Sequence, residues 1–345
     1  MALKLFTRRK SRTSGKPSHN GVGYIGPPGV HPNPYTDHHP APRESFSDDP
    51  LKRLHQQGRH AVILRDEKRW REHHGGGAVV DAATAELEER MAFVPAGRVN
   101  ISQALNDQPG APEEETDIQP FLLDTHPVTN LRYQRFVDSG GYDELDYWPE
   151  DIWPHLIELK DQTDQPGPRF WRNGRHDERF ATHPVVGVSW YEAQAYALWI
   201  GQRLASEAEW QMAASWHIKS SADIFRRFPW GDSMDNTRCN IWSSRHRGTV
   251  AVDEYPTGAA PNGVLQLIGN VWEWTDTDFS IVDEENQPIV GEMPMHVIRG
   301  ASFDTYFETQ ATALFRTGQI ALARSHNTGF RCAMDLEQAT WMSGT

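Results

Sequence analysis

The amino-acid sequence predicts an α+β fold with few helices, a twisted, mostly antiparallel sheet and long ordered loops. After residue 90, clear helix-start signals occur at only a few positions, all of them before residue 220. Beyond residue 220 the hydrophobic periodicity is weak, and glycine, proline, asparagine and aspartate separate short predicted strands. The 345 residues include 38% hydrophobic residues and 13 tryptophans, which favours a globular protein with a packed aromatic interior.

The first predicted elements of this region are two strands and a helix. Residues 92–97 form a hydrophobic run that ends in a turn, and residues 121–124 form a second hydrophobic run. Thr129 is a residue type that caps helix N-termini, and it precedes a helix predicted over residues 130–139. The glycine pair that follows predicts the end of this helix.

Two further helices are predicted from capping boxes, in which a glutamate follows a capping serine by three residues. Ser189 with Glu192 forms the first box, and Ser206 with Glu209 forms the second. The predicted helices cover residues 190–200 and 207–217.

Composition divides the chain near residue 90. Residues 1–50 are rich in proline, histidine and glycine and predict a disordered or extended arm. Residues 51–90 predict a helical linker or docking segment, residues 91–337 the main domain and residues 338–345 a tail. The arm either wraps a neighbouring subunit or is a disordered leader, and the sequence leaves both interpretations open.

The docking segment contains two helical patterns. They extend from Pro50 to His74 and from Asp81 to Met91, and Gly75-Gly76-Gly77 is expected to interrupt them. The segment lies against the main domain or a partner in one interpretation and is a flexible leader in the other.

Composition also excludes several classes of protein. No window approaches 18 apolar residues, so no membrane span is expected. The basic start of the chain is not followed by an apolar segment, and we therefore expect no secretory signal. The net charge of -13 argues against nucleic acid as a main partner. Since there are only two cysteines, a reducing, cytoplasmic location is expected.

Short motifs follow one another in a fixed order through most of residues 91 to 336. They are FVPAG (93–97), PVTN (127–130), PVVGVSW (184–190), RLASEAEW (203–210), FPWG (228–231), NIW (240–242), PNG (261–263), GNVWEWT (269–275), RGASF (299–303) and GFRCA (329–333). In this order they resemble the formylglycine-generating enzyme family, also called the sulfatase-modifying-factor family. The resemblance implies that family's variant of the C-type-lectin fold, which agrees with a chain of few helices and long loops.

The best-known reaction of that family is the oxidation of a client cysteine with a copper ion held by two enzyme cysteines. Counted forward from the RGASF motif, the two cysteine positions fall on Thr305 and Gln310; counted back from the GFRCA motif, they fall near Phe303 and Glu308. Neither register supplies the thiolates that copper(I) prefers. We therefore expect no copper and no formylglycine generation, and whether other catalysis remains is left open.

The two cysteines that are present have different contexts. Cys332 matches a family cysteine that is structural elsewhere, and its usual partner position resembles Ala197 here. A buried free thiol is therefore expected at Cys332. Cys239 has no evident partner that would activate it as a nucleophile.

The resemblance also implies a calcium site in the GNVWEWT region. Its ligands would be the carbonyl groups of Gly269 and Val271, the carboxylate of Glu273 and the side-chain amide of Gln266. Oxygen ligands of this kind suit calcium. In the alternative interpretation, Glu273 accepts backbone hydrogen bonds and fixes the loop without a metal.

Several polar residues fall in the region that lines the cleft of the family. These candidate site residues are Ser302, Asp304, Thr305, Glu308, Gln310, Arg316, Arg324 and His326. The charged members would bind a polar ligand or perform acid–base chemistry. The alternative is a set of surface salt bridges.

The sequence thus predicts a family member that lacks cysteine-to-formylglycine oxidase activity. It would be a pseudoenzyme, a binding module or accessory subunit that recognises a protein, a peptide or a polar small molecule in the cleft. One alternative is an oxidative tailoring enzyme, similar to the pyoverdine-maturation relative or iron-dependent with a partner chain, since residues 1–90 lack a His-x3-His-x-Glu motif. The other is a lectin-fold ligand-binding protein whose loop from Phe303 to His326 is diversified.

Overall fold

The computed structural model describes residues 38–102, 113–216, 226–282, 288–289 and 293–339. Most of the predicted extended arm, up to residue 37, and the end of the predicted tail after residue 339 lie outside these residues. Within them, no helix combines the length and the apolar character that a membrane span requires.

The described residues form short helices and short strands joined by long connections. The α-helices are α1 (Pro50–Gln56), α2 (His60–Arg65), α3 (Glu67–Arg71), α4 (Gly76–Arg90), α5 (Asn130–Asp138), α6 (Trp190–Trp199) and α7 (Glu207–Ser215). The strands are β1 (Met91–Val94), β2 (Gly97–Ser102), β3 (Glu113–Ile118), β4 (Phe121–Asp124), β5 (Arg203–Leu204), β6 (Trp272–Asp278), β7 (Ile281–Val282), β8 (Pro288–Ile289), β9 (Met295–Arg299), β10 (Arg316–Ile320), β11 (Thr328–Phe330) and β12 (Cys332–Asp335).

The strands pair into two larger sheets and two hairpins. The first sheet has the order β1-β4-β12-β5 and is antiparallel throughout. The second has the order β10-β9-β6-β11, in which only β11 runs parallel to its neighbour, β6. The hairpins are β2–β3 and β7–β8. This confirms the α+β class with a mostly antiparallel sheet.

The two predicted strands and the first predicted helix are confirmed. Strand β1 pairs with β4 so that Met91 lies opposite Asp124. The Thr129 hydroxyl accepts a hydrogen bond from the backbone N–H of Arg132 at 3.2 Å, as the capping argument predicts. Helix α5 ends one residue earlier than predicted, and Gly140 then adopts a left-handed φ of +75°.

Both capping boxes are also confirmed. The backbone N–H of Glu192 donates to the Ser189 hydroxyl at 3.2 Å, and the Glu192 carboxylate accepts from the Ser189 N–H at 2.8 Å. Ser206 and Glu209 repeat the same pair of bonds at 3.2 and 2.8 Å. Helix α7 ends at residue 215, two residues before the predicted end, because Trp216 takes a left-handed conformation with φ 46°.

The N-terminal segment differs from the prediction in two ways. Residues 50–74 form three short helices, α1 to α3, and α4 begins at Gly76, within the expected interruption and five residues before Asp81. Gly75 alone turns the chain, with a φ of +70°. Gly76 fits at the start of α4 because glycine has no Cβ atom. A Cβ atom at this position would lie 1.8 Å from the carbonyl oxygen of Trp70.

The N-terminal helices share a hydrophobic core with the first sheet. Leu64 of α2 and Val80 and Leu87 of α4 are buried in one cluster with Leu122 of β4 and Met334 of β12. Burial of this many apolar side chains provides the main stabilisation of the segment. Helices α1 to α4 therefore pack on the outer face of the β1-β4-β12-β5 sheet.

The main core is aromatic, as the tryptophan content predicts. Tyr133 stacks on Tyr196 at a centroid distance of 5.3 Å, and Phe330 meets Tyr196 edge-on at 5.5 Å. Phe136 meets Trp199 edge-on at 5.5 Å. Such offset and edge-to-face contacts are the preferred geometries of aromatic pairs. They join α5 and α6 to β11.

Candidate functional site

The candidate site is built on two loops whose backbones lie in contact. The N–H of Gly269 donates to the carbonyl oxygen of Gly300 at 2.8 Å, and the N–H of Phe303 donates to that of Asn270 at 3.1 Å. Gly300 has a φ of +96° and Gly269 a φ of +84°. A Cβ atom on Gly269 would also lie 2.6 Å from the carbonyl oxygen of Asn240. Glycine at these two positions therefore allows the close approach that places residues 302–307.

Asp304 is the centre of a polar cluster at the start of this loop. The Ser302 hydroxyl donates to Asp304 Oδ1 at 2.6 Å, and the Asn327 amide donates to the two carboxylate oxygens at 3.0 and 3.2 Å. His326 Nε2 lies 3.1 Å from Asp304 Oδ2. Asn327 is itself fixed because its backbone carbonyl oxygen accepts a hydrogen bond from the backbone N–H of Trp272 at 2.8 Å.

These contacts shift the pKa values of both Asp304 and His326. Burial by itself would raise the pKa of Asp304, but the hydrogen bonds from His326, Ser302 and Asn327 outweigh it and lower this pKa to about 2. The hydrogen bond to Asp304 raises the pKa of His326 above 6.5, against the opposing effect of burial. Near neutral pH the pair therefore presents a carboxylate and an imidazole that retains its second proton more readily than a free histidine.

The pair suits binding or proton transfer better than nucleophilic attack. Ser302 is fully buried, and Asp304, which accepts its hydroxyl hydrogen bond, is a weak base because its pKa is lowered. The side chain of His326 is 54% exposed. Because Nε2 faces Asp304, Nδ1 is the ring nitrogen on the other side of the imidazole. The arrangement resembles a carboxylate-oriented histidine at a surface.

Three aromatic side chains are exposed on the same loop and its neighbour. Tyr306 and Phe307 are 68% and 61% exposed, and Trp242 is 48% exposed. The ring centroids are 6.3 Å apart for Trp242 and Tyr306 and 5.3 Å apart for Tyr306 and Phe307. The Trp242 N–H donates to the carbonyl oxygen of Thr305 at 3.2 Å, which fixes the two loops together. We call Trp242, Tyr306 and Phe307 the aromatic patch.

A pocket of about 290 Å³ lies on the other side of Asn327. Its lining includes Trp272, Gln310, Phe315, Gln319 and Asn327. The Asn327 side chain belongs both to this pocket and to the Asp304 cluster. A ligand in the pocket would therefore meet amide groups and aromatic surface next to the charged pair.

The structure separates the other predicted cleft residues. Thr305 stays in the cluster, where its hydroxyl accepts from the Ser302 N–H at 3.0 Å. Glu308 accepts from the Asn236 amide at 3.0 Å. Gln310 reaches the pocket described above.

Arg316 and Arg324 belong to buried ion pairs. Arg316 donates to both Glu207 carboxylate oxygens at 2.9 Å. Arg324 donates to Glu192 at 2.9 Å, and it also donates to the carbonyl oxygen of Lys160 at 2.8 Å. The salt-bridge interpretation fits these two arginines, except that their partners are interior and not at the surface.

Glu273, one of the predicted calcium ligands, is the centre of a buried hydrogen-bond network. Arg331 donates to its two carboxylate oxygens, each at 2.7 Å, and the indole N–H of Trp210 donates at 2.8 Å. Arg331 also donates to the carbonyl oxygens of Asp124 at 3.0 Å and Leu265 at 2.8 Å. The bidentate geometry is the strongest form of arginine–carboxylate contact.

Two of the three other predicted calcium ligands, Gln266 and Gly269, also have partners within the protein. Gln266 Oε1 accepts from the Asn270 amide at 2.5 Å, and the Gly269 carbonyl oxygen accepts from the Val271 N–H at 2.9 Å. The negative charge of Glu273 is already balanced by Arg331. These four residues therefore fit the metal-free interpretation, in which Glu273 fixes the loop, better than a calcium site. The donors to Glu273 are side chains and not the backbone groups of the metal-free interpretation. The calcium site itself stays a prediction.

Both cysteines are free and buried, which confirms the prediction for Cys332. It lies in the same core cluster as Ala197. Burial raises the pKa of Cys239 to about 12 and that of Cys332 well above its usual value. A thiol that is buried and protonated is a poor nucleophile and a poor copper ligand.

The sequence did not single out Asn327 or the aromatic patch. Tyr306 and Phe307 lie in the span where the copper cysteines are missing, and that replacement is the signal that could have identified them. Trp242 enters the sequence prediction only as part of the NIW motif (240–242). Its exposure becomes visible only once the loop from residue 240 packs beside Thr305.

Comparisons with known proteins agree with this architecture. The family model described as "Sulfatase-modifying factor enzyme 1-like domain" matches residues 77–336. The chain is 34% identical over 209 residues to "Hercynine oxygenase" of Mycobacterium tuberculosis, covering 56% of this chain and 47% of that protein. It therefore spans about half the length of that relative.

Two other similarities extend over more of the partner protein. The chain is 31% identical over 280 residues to "Inactive C-alpha-formylglycine-generating enzyme 2" of Bos taurus, covering 70% of this chain and 87% of that protein. The solved structure of PvdO from Pseudomonas aeruginosa is similar with 20% identity and a TM-score of 0.46, covering 71% of this chain and 94% of that chain.

The pairing of Asp304 with His326 predicts a measurable pKa. In the native chain, NMR titration of the His326 ring should give a pKa above 6.5, and Asp304→Asn should bring it to 6.5 or below because the carboxylate that holds the proton is gone. The pair stabilises the folded chain fully between about pH 4 and pH 6.5; the contribution is lost as the pH rises through the folded pKa of His326 and as the pH falls through that of Asp304, about 2. Glu308→Gln removes a carboxylate of the same loop that contacts Asn236, and it should leave the titration unchanged.

The buried Glu273 network predicts a large loss of stability in Glu273→Gln. The variant leaves the charge of Arg331 buried without its partner, so the free energy of unfolding should fall by about 3–5 kcal/mol in denaturant titrations. Glu115→Gln, at the exposed pair with Arg98, is the control and should leave it almost unchanged. Equal losses in the two variants would contradict the network.

Melting the native chain with calcium and with a chelator tests the predicted calcium site. An unchanged melting temperature would count against a calcium site.

Proposed function

The chain belongs to the sulfatase-modifying-factor family, and on that basis we propose that it is a binding module or accessory subunit that recognises a peptide segment at the aromatic patch and the Asp304–His326 pair. The proposal includes the absence of cysteine-to-formylglycine oxidase activity. It also includes a cytoplasmic location, which the two buried free thiols support because a reducing compartment preserves them.

The observation that carries this proposal is the exposure of three aromatic rings next to an oriented charged pair. Large aromatic side chains tend to lie inside a monomer, and exposed clusters of them mark interaction sites. Tyrosine and tryptophan are also the residue types that most often carry binding energy at protein interfaces. A peptide offers both kinds of complementary group, apolar side chains for the rings and backbone hydrogen-bonding groups for His326 and Asp304.

Two further observations support a non-oxidising role. The sequence contains only Cys239 and Cys332, and both thiols are buried with raised pKa values. In addition, the Bos taurus relative, of which the chain covers 87%, is named as inactive. The family frame is therefore compatible with a role in recognition.

A peptide selection tests the binding proposal. Random linear peptides displayed on phage are selected on the full chain and counter-selected on the double variant Tyr306→Ala/Phe307→Ala. Selected peptides should bind the native chain at least about tenfold more tightly than the double variant, since truncating aromatic anchors costs about 2 kcal/mol or more. Asp304→Asn should also weaken binding. Affinities are measured by fluorescence anisotropy.

The matched control is Ile157→Ala, which removes an exposed apolar side chain, 73% exposed, outside the candidate site. It should bind the selected peptides as the native chain does. Failure to enrich any peptide, or equal affinities for the native chain and the double variant, would contradict the proposal.

The absence of oxidase activity has its own test. A Cys-x-Pro-x-Arg peptide is incubated with the chain, copper(I), oxygen and a reductant, and aldehyde is detected by hydrazide capture and mass spectrometry. We expect no aldehyde, because no accessible thiolate pair holds the copper. Aldehyde formation that depends on the chain would overturn this part of the proposal.

A further inference from the structure

Two histidines and a glutamate of the N-terminal helices lie close together, away from the candidate site. His55 belongs to α1, His60 begins α2, and Glu86 lies in the last two turns of α4. Each offers one ligand atom, and these atoms all lie within 4.8 Å of one another. Three different helices thus bring metal-binding side chains to one point.

The histidine nitrogens are available in this arrangement. His60 is 2% exposed, and neither of its ring nitrogens makes a hydrogen bond of good geometry within the described residues, although the ring faces the backbone of His55. Nδ1 of His55 is buried and unpartnered in the same way. Buried polar atoms usually have a partner, and an unsatisfied one destabilises the fold. The unpartnered nitrogens of His55 and His60 would be satisfied by a bound ligand.

We propose that His55, His60 and Glu86 bind one divalent zinc ion, which links α1, α2 and α4. Imidazole nitrogen and carboxylate oxygen are ordinary zinc ligands, and three protein ligands leave a fourth position for water.

The distances support a site of this kind. In a tetrahedral zinc site with bonds of about 2.0–2.2 Å, neighbouring ligand atoms lie roughly 3.3 Å apart. Glu86 Oε2 lies 3.3 Å from His60 Nε2, and Glu86 Oε1 lies 3.7 Å from His55 Nε2. All three ligand atoms lie within 4.8 Å of one another, so they would draw together by up to about 1.5 Å to reach tetrahedral spacing. The Glu86 side chain is 54% exposed and can move toward the imidazoles, and its exposure leaves a path for the ion and the water.

The charges near the cluster are of both signs. Arg90 lies one turn after Glu86, and its charge by itself would oppose a metal ion. Arg90 Nε lies 3.4 Å from the buried carboxylate of Asp124, but Asp124 also pairs with Arg132 at 3.0 Å and therefore offsets only part of that charge. Glu86, which faces both imidazoles, is the carboxylate that would balance the ion. The metal would add a link between helices that the cluster of Leu51, Leu64 and Val80 already holds together.

Zinc titration of the untagged, chelator-treated full chain tests the proposal. Calorimetry and elemental analysis should give one zinc ion per chain, and cobalt(II) should give the visible absorption of a four-coordinate nitrogen and oxygen site. Zinc should also raise the melting temperature of the native chain, because the ion binds the folded state.

Glu86→Gln is the decisive variant, since it keeps the size of an exposed side chain and removes the ligand charge. Its zinc affinity should fall by at least about tenfold, which corresponds to about 1.4 kcal/mol, and the cobalt spectrum should change. His60→Ala should abolish the site, although loss of a buried side chain can also lower stability. For this reason circular dichroism accompanies both variants, and Glu86→Gln carries the conclusion if His60→Ala unfolds.

His74→Ala is the control, because it removes an exposed imidazole of the same segment that lies outside the cluster. It should bind zinc as the native chain does. The proposal is wrong if the native chain binds no stoichiometric zinc, if Glu86→Gln binds zinc with native affinity, or if His74→Ala loses as much affinity as Glu86→Gln.

Discussion

The buried ion pair between Glu273 and Arg331 is the interaction on which the rest of the structure depends. Glu273 lies on β6 in one sheet, and Arg331 lies between β11 and β12, where the chain passes from that sheet to the other. Trp210 adds α7 to the same network, and the carbonyl oxygens of Asp124 and Leu265 complete it. Because an unpartnered buried charge costs several kcal/mol, these elements must assemble together.

This network fixes the loops that carry the candidate site. The strand that contains Glu273 follows directly on the loop of Gly269, and that loop holds the backbone from Gly300 onwards through close contact. The carboxylates of Glu273 and Asp304 therefore have different roles. Glu273 is buried, and its oxygens are engaged by two interior side chains. Asp304 is partly exposed and orients His326 at the surface, where a ligand can reach it.

The sequence predicts the local part of this structure well and the long-range part poorly. Capping at Ser189 and Ser206 depends on residues three positions away, and so does the pattern that reveals it. The roles of Arg316 and Arg324 depend on Glu207 and Glu192, which lie more than 100 residues earlier in the chain. Exposed groups also depend on long-range packing. The aromatic patch forms only when the loops of Trp242 and Tyr306 meet, and His55, His60 and Glu86 come together only when three helices pack.

The two arginines also explain how one family frame can serve different functions. Arg316 and Arg324 are fixed by interior carboxylates, so the segment that follows Phe307 is anchored to the core at two points. The chemistry of the site is thereby concentrated in residues 302–307 and in His326, where the Asp304–His326 pair and the rings of Tyr306 and Phe307 reach the surface. Cysteines at the positions that the resemblance implies, Thr305 and Gln310 or Phe303 and Glu308, would present thiolates to a metal, whereas this loop presents aromatic rings and a charged pair. A substitution in this loop can therefore change the chemistry of the site while the Glu273–Arg331 network of this chain stays intact.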